Sequence, residues 1–265
     1  MLIVISAYIF SNAIMKHRII SLILLISALI LIVAKADWWS VVLLAAIWLV
    51  ITFLGVVNMD FHYFTKSYIS NNSQQEKKIA LTFDDGPTEF TPEFLKLLEQ
   101  FNQKATFFCI GKQIEKLPEI LNQIIENGHE IGNHSYSHSN LTGFFSFRKM
   151  EKDIIDFDAV LMEMAQKKTD LYRPPFGITN PNIAKAIKST GKKTIGWNIR
   201  SFDTAISDEQ KILNRLTPNI KPGSIILLHD TSQKSLNVLE QILLFLQHEN
   251  YKSVTVSELF DFKSI

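Results

Sequence analysis

The sequence has a single cysteine, Cys109. An intramolecular disulfide is therefore excluded, and so is a CxxC or cysteine-rich zinc site. Net charge is also nearly absent: 27 lysines and arginines face 26 aspartates and glutamates, leaving +1. The chain offers no basic field for nucleic acid and carries no acidic tail. Internal repeats are missing, and no low-complexity segment stands out beyond the polar run Asn71-Asn72-Ser73-Gln74-Gln75-Glu76. One long stretch, Trp38 to Met59, has no charged residue at all.

That last absence divides the chain. Residues 1–59 are overwhelmingly apolar, and the rest has the composition of an ordinary soluble domain. Ile19 to Ala34 is apolar apart from Ser21 and Ser27. At about 1.5 Å per helical residue, the run from Trp38 can cross a hydrocarbon core of about 30 Å, while the first run needs help from its flanks. Lys35-Ala36-Asp37 is so short a loop that helices over about 19–34 and 38–58 must form an antiparallel hairpin. Trp38 and Trp39 stand where an interfacial aromatic belt would lie. Such uniform apolarity leaves no face for water, so 1–59 reads as a membrane-spanning region with the lipid bilayer as partner. Leu2 to Ile14 is too short to span comfortably, and Met15-Lys16-His17-Arg18 looks like the start of a membrane protein, so Met15 stands beside Met1 as a candidate start. Residues 60–77 read as a linker and 78–265 as one globular domain, long enough to bury a sizeable core.

From Lys78 onward, short β-like runs alternate with amphipathic helical ones. Ile79–Phe83, Ala105–Ile110, His129–Asn133, Leu171–Arg173, Lys193–Ile199, Ser224–Leu228 and Ser253–Val256 read as strands, and helices are expected between them. Thr91 is the expected N-cap of the first helix, with Pro92 in its first turn. Repeated strand–helix units of this length predict parallel strands joined by helical crossovers, and about seven strands favour a distorted (β/α) barrel. Chemistry in such barrels gathers at the C-terminal ends of the strands.

Polar clusters fall at those ends. Asp84-Asp85-Gly86 follows the first strand, His134 and His138 the third, and Arg173 the fourth; Asp203 lies past the fifth, and His229-Asp230 ends the sixth. Each alone has a plain alternative: Asp-Asp-Gly fits an ordinary turn, the histidines a surface loop, Arg173 a structural ion pair. Adjacent carboxylates repel unless a cation or base sits beside them. Two histidines four apart lie on one side of a helical turn, and with one carboxylate they form a set suited to zinc or another divalent transition metal.

Together, Thr82-Phe83-Asp84-Asp85-Gly86-Pro87, His134-Ser135-Tyr136-Ser137-His138, Arg173-Pro174-Pro175-Phe176-Gly177 and Leu227-Leu228-His229-Asp230 resemble, in order and spacing, four motifs of the NodB-like polysaccharide deacetylases, carbohydrate esterase family 4. The resemblance covers about residues 77–260 and implies a distorted barrel of about seven strands. It implies that Asp85, His134 and His138 bind one divalent metal ion, zinc foremost, with cobalt or another transition metal as alternatives. It makes Asp84 the general base, His229 the general acid, Arg173 the group that orients Asp84, Asp203 the partner of His229, and the Phe176 N–H an oxyanion donor. One motif departs from the family: in Trp197-Asn198-Ile199-Arg200-Ser201-Phe202-Asp203-Thr204, Arg200 stands where an aspartate is usual and Thr204 where a tryptophan is usual. One wall of the substrate groove is thereby changed.

The function implied is removal of N-acetyl groups from N-acetylhexosamine units of a cell-envelope glycan such as peptidoglycan. Two other functions compete with it: a deacylase or deformylase of a lipid-linked sugar, suggested by the hairpin and by Phe144-Phe145, and a catalytically silent glycan-binding module, which has no need of both base and acid. An envelope polymer places the catalytic domain on the extracytoplasmic side, whereas Lys16 and Arg18, if cytoplasmic, would return it to the cytoplasm after two crossings.

Overall fold

The computed structural model describes residues 13–263, and the apolar stretch Leu2–Ile14 falls almost wholly outside them, as does the question of which methionine starts the chain. Two helices, α1 (Ala13–Val33) and α2 (Trp38–Val57), form the expected hairpin. Both are long and apolar enough to cross a membrane. Leu22, Ile30, Leu43 and Phe53 are among their exposed side chains, so the protein itself does not cover the hairpin. Trp48 Nε1 donates to Ser21 Oγ at 3.0 Å, tying the two helices together.

The rest is a single sheet with helices packed on its outside. Its strands are β1 (Ser67–Tyr68), β2 (Lys78–Asp84), β3 (Ala105–Cys109), β4 (Glu130–Asn133), β5 (Leu171–Tyr172), β6 (Lys193–Ile195), β7 (Ile199–Arg200), β8 (Ile225–His229) and β9 (Lys252–Ser253). The order is β1-β6-β5-β4-β3-β2-β8-β7, with β9 added to β2, and every named pair is parallel. The sheet curls into a half-barrel, as expected for this class of fold.

Two expectations need correction. Lys193–Ile199 is not one strand. β6 ends at Ile195 and β7 begins at Ile199, and the two lie toward opposite ends of the sheet, β6 between β1 and β5 and β7 at the edge beside β8: Gly196 N–H bonds Tyr68 O while Asn198 N–H bonds Ile225 O. Chain continuity, not a strand ladder, spans the gap. Gly196 fits there because a Cβ would lie 2.8 Å from Ile69 Cγ2. The interval 60–77 is also more than a connector. Ser67–Tyr68 forms β1 beside β6, and Tyr63 and Phe64 are buried. Those rings pack with Ala184 against Ile20, Ile51 and Val56 of the hairpin. Thr179 bonds the end of α2 twice, its N–H to Val56 O at 3.0 Å and its Oγ1 to Gly55 O at 3.2 Å. The hairpin and the half-barrel are thus packed together.

Strand parity explains where the chemistry points. In β2, Ile79, Leu81 and Phe83 belong to the large apolar cluster under the outer helices, while Thr82 and Asp84 alternate to the other face. In β8, Ile226 and Leu228 join that outer cluster, leaving Leu227 and His229 inward. Phe83, Leu81, Ile226 and Leu228 are at most 1% exposed. Burying each such side chain contributes about 1.5–3 kcal/mol, so a one-residue register slip would expose this layer and is strongly resisted.

Candidate active site

The half-barrel collects the sequence-predicted residues at the C-terminal ends of its strands. Asp84 ends β2 and is in register with His229 at the end of β8, so neighbouring strands hold them side by side. Asp85 follows with φ +74, a left-handed turn that aims its carboxylate away from the strand axis. His134 follows β4, and its N–H is held by Cys109 O at 2.9 Å. The His134–His138 segment is a loop and not the helical turn expected from spacing: Ser135 and His138 both have positive φ, at 67° and 43°. Asn133 Oδ1 takes Ser135 N–H at 2.8 Å, and Ser135 Oγ takes His138 N–H at 3.0 Å. These short-range bonds bring the two imidazoles together without a helix, ring centroids 4.8 Å apart.

Asp85, His134 and His138 offer ligand atoms all within 4.8 Å of one another. Their hydrogen bonding favours a cation. His134 Nδ1 faces the Arg173 carbonyl at 2.8 Å, and a carbonyl only accepts, so the proton sits on Nδ1 and the Nε2 lone pair points at the cluster. That lone pair meets Asp85 Oδ1 at 3.5 Å, and His138 Nε2 is 3.3 Å from the same oxygen. Asp85 Oδ1 is buried without a hydrogen-bond partner among the described residues. Lone pairs converging on one orphaned oxygen are unfavourable unless a positive charge lies among them. The residues therefore fit a divalent ion. Burial alone would push the Asp85 carboxyl up, but positive charge facing it, which His134, His138 and His229 bring when protonated, outweighs this and holds it at about 2; a divalent ion would bring the same charge when the histidines present lone pairs. Asp85 is thus ionised and ready to ligate across the whole physiological range.

Arg173 is fully buried. Its NH1 donates to Asp84 Oδ1 at 2.7 Å and to Thr82 Oγ1 at 2.9 Å, and its NH2 to Gly196 O at 2.9 Å. Its guanidinium lies over the Phe108 ring at 4.0 Å. Desolvation lowers the Arg173 pKa, with Asp84 opposing. Asp84 Oδ2 lies 3.7 Å from His134 Nε2, so one oxygen is held by arginine and the other borders the metal-site histidines.

On the other wall, His229 Nδ1 donates to Asp203 Oδ1 at 2.8 Å, leaving Nε2 toward the cleft, 4.0 Å from Asp85 Oδ2. Asp203 also accepts His229 N–H at 2.9 Å, Ser201 Oγ–H at 2.7 Å and Ser235 Oγ–H at 3.0 Å. With both oxygens engaged by donors, the buried Asp203 is stabilised as the anion: burial raises its pKa, but His229 and Ser201 more than reverse this. For His229, burial would lower the pKa, and Asp203, helped by Asp84 and Asp85, turns the balance upward.

Phe176 forms the rim. It has φ +61, a conformation that costs a bulky side chain of order 1–3 kcal/mol, and its ring lies 4.9 Å from that of His138. Asp84, Asp85, His134, His138, Phe176 and His229 line one cleft of about 230 Å³, together with Trp197, Arg200 and Thr204. Phe144 and Phe145, adjacent in sequence, part company: Phe144 is 88% exposed, while Phe145 is buried. Sequence reading missed Thr82, Asn133, Ser201 and Ser235, the residues that hold the site together. Hydroxyls and amides of this kind occur throughout the chain, and only the fold shows which of them meet Arg173, Ser135 and Asp203. It also made Thr91 a helix cap; the Thr91 hydroxyl instead bonds the buried Asp230 Oδ2 at 2.5 Å and takes Thr88 N–H at 2.8 Å.

The His–His–Asp set could hold a divalent ion, and the Asp–Arg and Asp–His couples beside it are of the kind a hydrolase needs. The family model described as Polysaccharide deacetylase matches residues 71–195. A peptidoglycan-N-acetylglucosamine deacetylase of Bacillus cereus is 39% identical over 71% of this chain and 90% of the relative. The peptidoglycan-N-acetylmuramic acid deacetylase PdaC of Bacillus subtilis is 32% identical over 71% of this chain and 40% of the relative. A solved peptidoglycan N-acetylglucosamine deacetylase, in complex with 4-naphthalen-1-yl-N-oxidanyl-benzamide, superposes with a TM-score of 0.69 at 33% identity, covering 74% of this chain and 93% of the other. The chain belongs to the polysaccharide deacetylase family, and it is a hydrolase of N-acetyl amide bonds.

Proposed function

We propose that this protein removes N-acetyl groups from N-acetylhexosamine units of a cell-envelope glycan such as peptidoglycan, using one divalent metal ion, zinc foremost, held by Asp85, His134 and His138. The observation that carries this reading is one cleft flanked by two ionisable pairs of opposite design: Asp84 on Arg173, and His229 on Asp203. A divalent ion bound there would polarise the acetyl carbonyl and lower the pKa of water to about 7. Asp84, kept beside the buried Arg173 charge, takes the proton of the attacking water. His229, protonated and backed by Asp203, gives a proton to the departing amine as the C–N bond breaks. The Phe176 N–H supports the oxyanion, and acetate and a free amine result. A silent glycan-binding module would need neither pair.

The hairpin α1–α2 is proposed to anchor the enzyme in the membrane, with residues 78–265 carrying catalysis on the extracytoplasmic side, where an envelope polymer lies. Exposed Phe144 and Leu141, on the loop after His138, suit a second substrate, a lipid-linked sugar whose chain stays in the bilayer.

The pH–rate profile tests these roles. It should be bell-shaped, with the alkaline limb reporting loss of the His229 proton. Asp203 raises the His229 pKa, so Asp203→Asn, which keeps the shape and removes the charge, lowers that pKa. The acid form is then lost sooner as pH rises: the alkaline limb should move to lower pH while the acid limb stays. A shift confined to the acid limb would remove His229 as the acid.

A further inference from the structure

Arg200 and Arg215 take no part in the reaction above, yet the structure sets both beside it. A second depression of about 300 Å³ adjoins the catalytic cleft, and the two share Phe176, Gly177, Trp197 and Arg200 as walls. Arg215 lines only the second. Both guanidiniums lie over the Phe202 ring, Arg200 at 4.6 Å and Arg215 at 4.7 Å from its centroid. Arg200 is also 5.6 Å from the Trp197 ring. Phe202 reaches this position with φ +58, a left-handed conformation unusual for a bulky residue.

Neither arginine has a carboxylate within 4.0 Å among the described residues. Aromatic backing desolvates a guanidinium without neutralising it, and its in-plane N–H donors stay available for a planar or tetrahedral oxyanion. Two such charges sharing one ring repel each other until an anion joins them. Asp60 is the single acidic residue lining the second depression, so positive charge is in excess there.

We infer that Arg200 and Arg215 form an anion subsite next to the deacetylation cleft, which binds a carboxylate or phosphate substituent of the glycan beside the sugar being deacetylated. The inference rests on the glycan-deacetylase reading for its substrate class. It makes the enzyme selective for anionic glycans over neutral ones of the same length.

Calorimetric binding to the full chain in detergent micelles tests it, with three probes: a neutral N-acetylglucosamine oligomer, the same length carrying lactyl-ether carboxylates, and the neutral oligomer carrying a reducing-end phosphate. At low salt at least one anionic probe should bind about 10-fold tighter than the neutral one, a gap of about 1.4 kcal/mol, and the gap should shrink as salt rises. The better anionic probe identifies the source of the anion. Arg200→Gln and Arg215→Gln should each narrow the preference and together remove it, and Arg215→Gln, which lies outside the catalytic cleft, should leave affinity for the neutral oligomer little changed. Both side chains are exposed, so neither change should disturb folding, and a melting curve checks this. Equal binding of all three probes by the wild type would overturn the subsite, as would an Arg215→Gln variant that weakens neutral and anionic probes alike. Selective binding without deacetylation of any probe would support the subsite and count against the deacetylase reading instead.

Discussion

Replacing His138 by alanine is expected to abolish metal binding and bring deacetylation down to background, while the domain stays folded. His138 Nε2 lies 3.3 Å from Asp85 Oδ1, and its removal leaves two protein ligands where three converge. An incomplete shell neither holds a divalent ion tightly nor keeps open positions in place for water and substrate. The structural cost is small. His138 is half-buried, and its side chain packs on the solvent-facing Phe176, so truncation should cost on the order of 1 kcal/mol. Metal content by atomic absorption, read beside a melting curve and an acetate assay, checks all three parts. Full activity with metal retained would end the assignment of this residue as a ligand.

The second large effect is on Asp84. Asp84→Asn should lower the rate across the whole pH range by about 10²–10⁴-fold, the contribution expected of a general base, with the metal still bound. Stability complicates this test more than it does for His138. The Asp84–Arg173 pair is almost entirely buried, and breaking such a pair by deleting one charge costs about 3–5 kcal/mol. Asparagine keeps an oxygen that can accept the Arg173 NH1 bond now 2.7 Å long, so its cost should lie below that range. Rates must therefore be referred to folded, metal-loaded protein. Loss of activity explained wholly by unfolding or by metal loss would show that Asp84 supports the site without acting as its base.

Much of this was legible in the sequence because the chemistry sits on regular elements. Asp84 and His229 end apolar strands, and strand alternation alone sends them to the face away from Phe83 and Leu228. The hairpin was legible too, since Trp38 to Met59 offers water no polar side. What escaped was set by irregular backbone and by long-range meetings. The strand break at Gly196 depends on two separate partners, β1 at one end of the sheet and β8 near the other, which no local pattern encodes. The metal histidines converge through positive φ at Ser135 and His138, so their spacing of four suggested a helix that does not form. β1 is only two residues long, too short to leave a periodic signal in an interval rich in polar residues. Arg215 reaches the second depression from a helix, Glu209–Leu216, that carries no motif, and only the fold brings it to Phe202 beside Arg200.

Mass spectrometry of an N-acetylglucosamine oligomer incubated with the full-length, metal-loaded protein tests the central claim most directly. The predicted result is stepwise loss of acetyl groups from an otherwise intact oligomer, one free amine appearing for each acetate released, and no loss after the metal is chelated until it is restored. An oligomer left fully acetylated by folded protein with metal bound, or one cleaved between sugars and not at its amides, would contradict it.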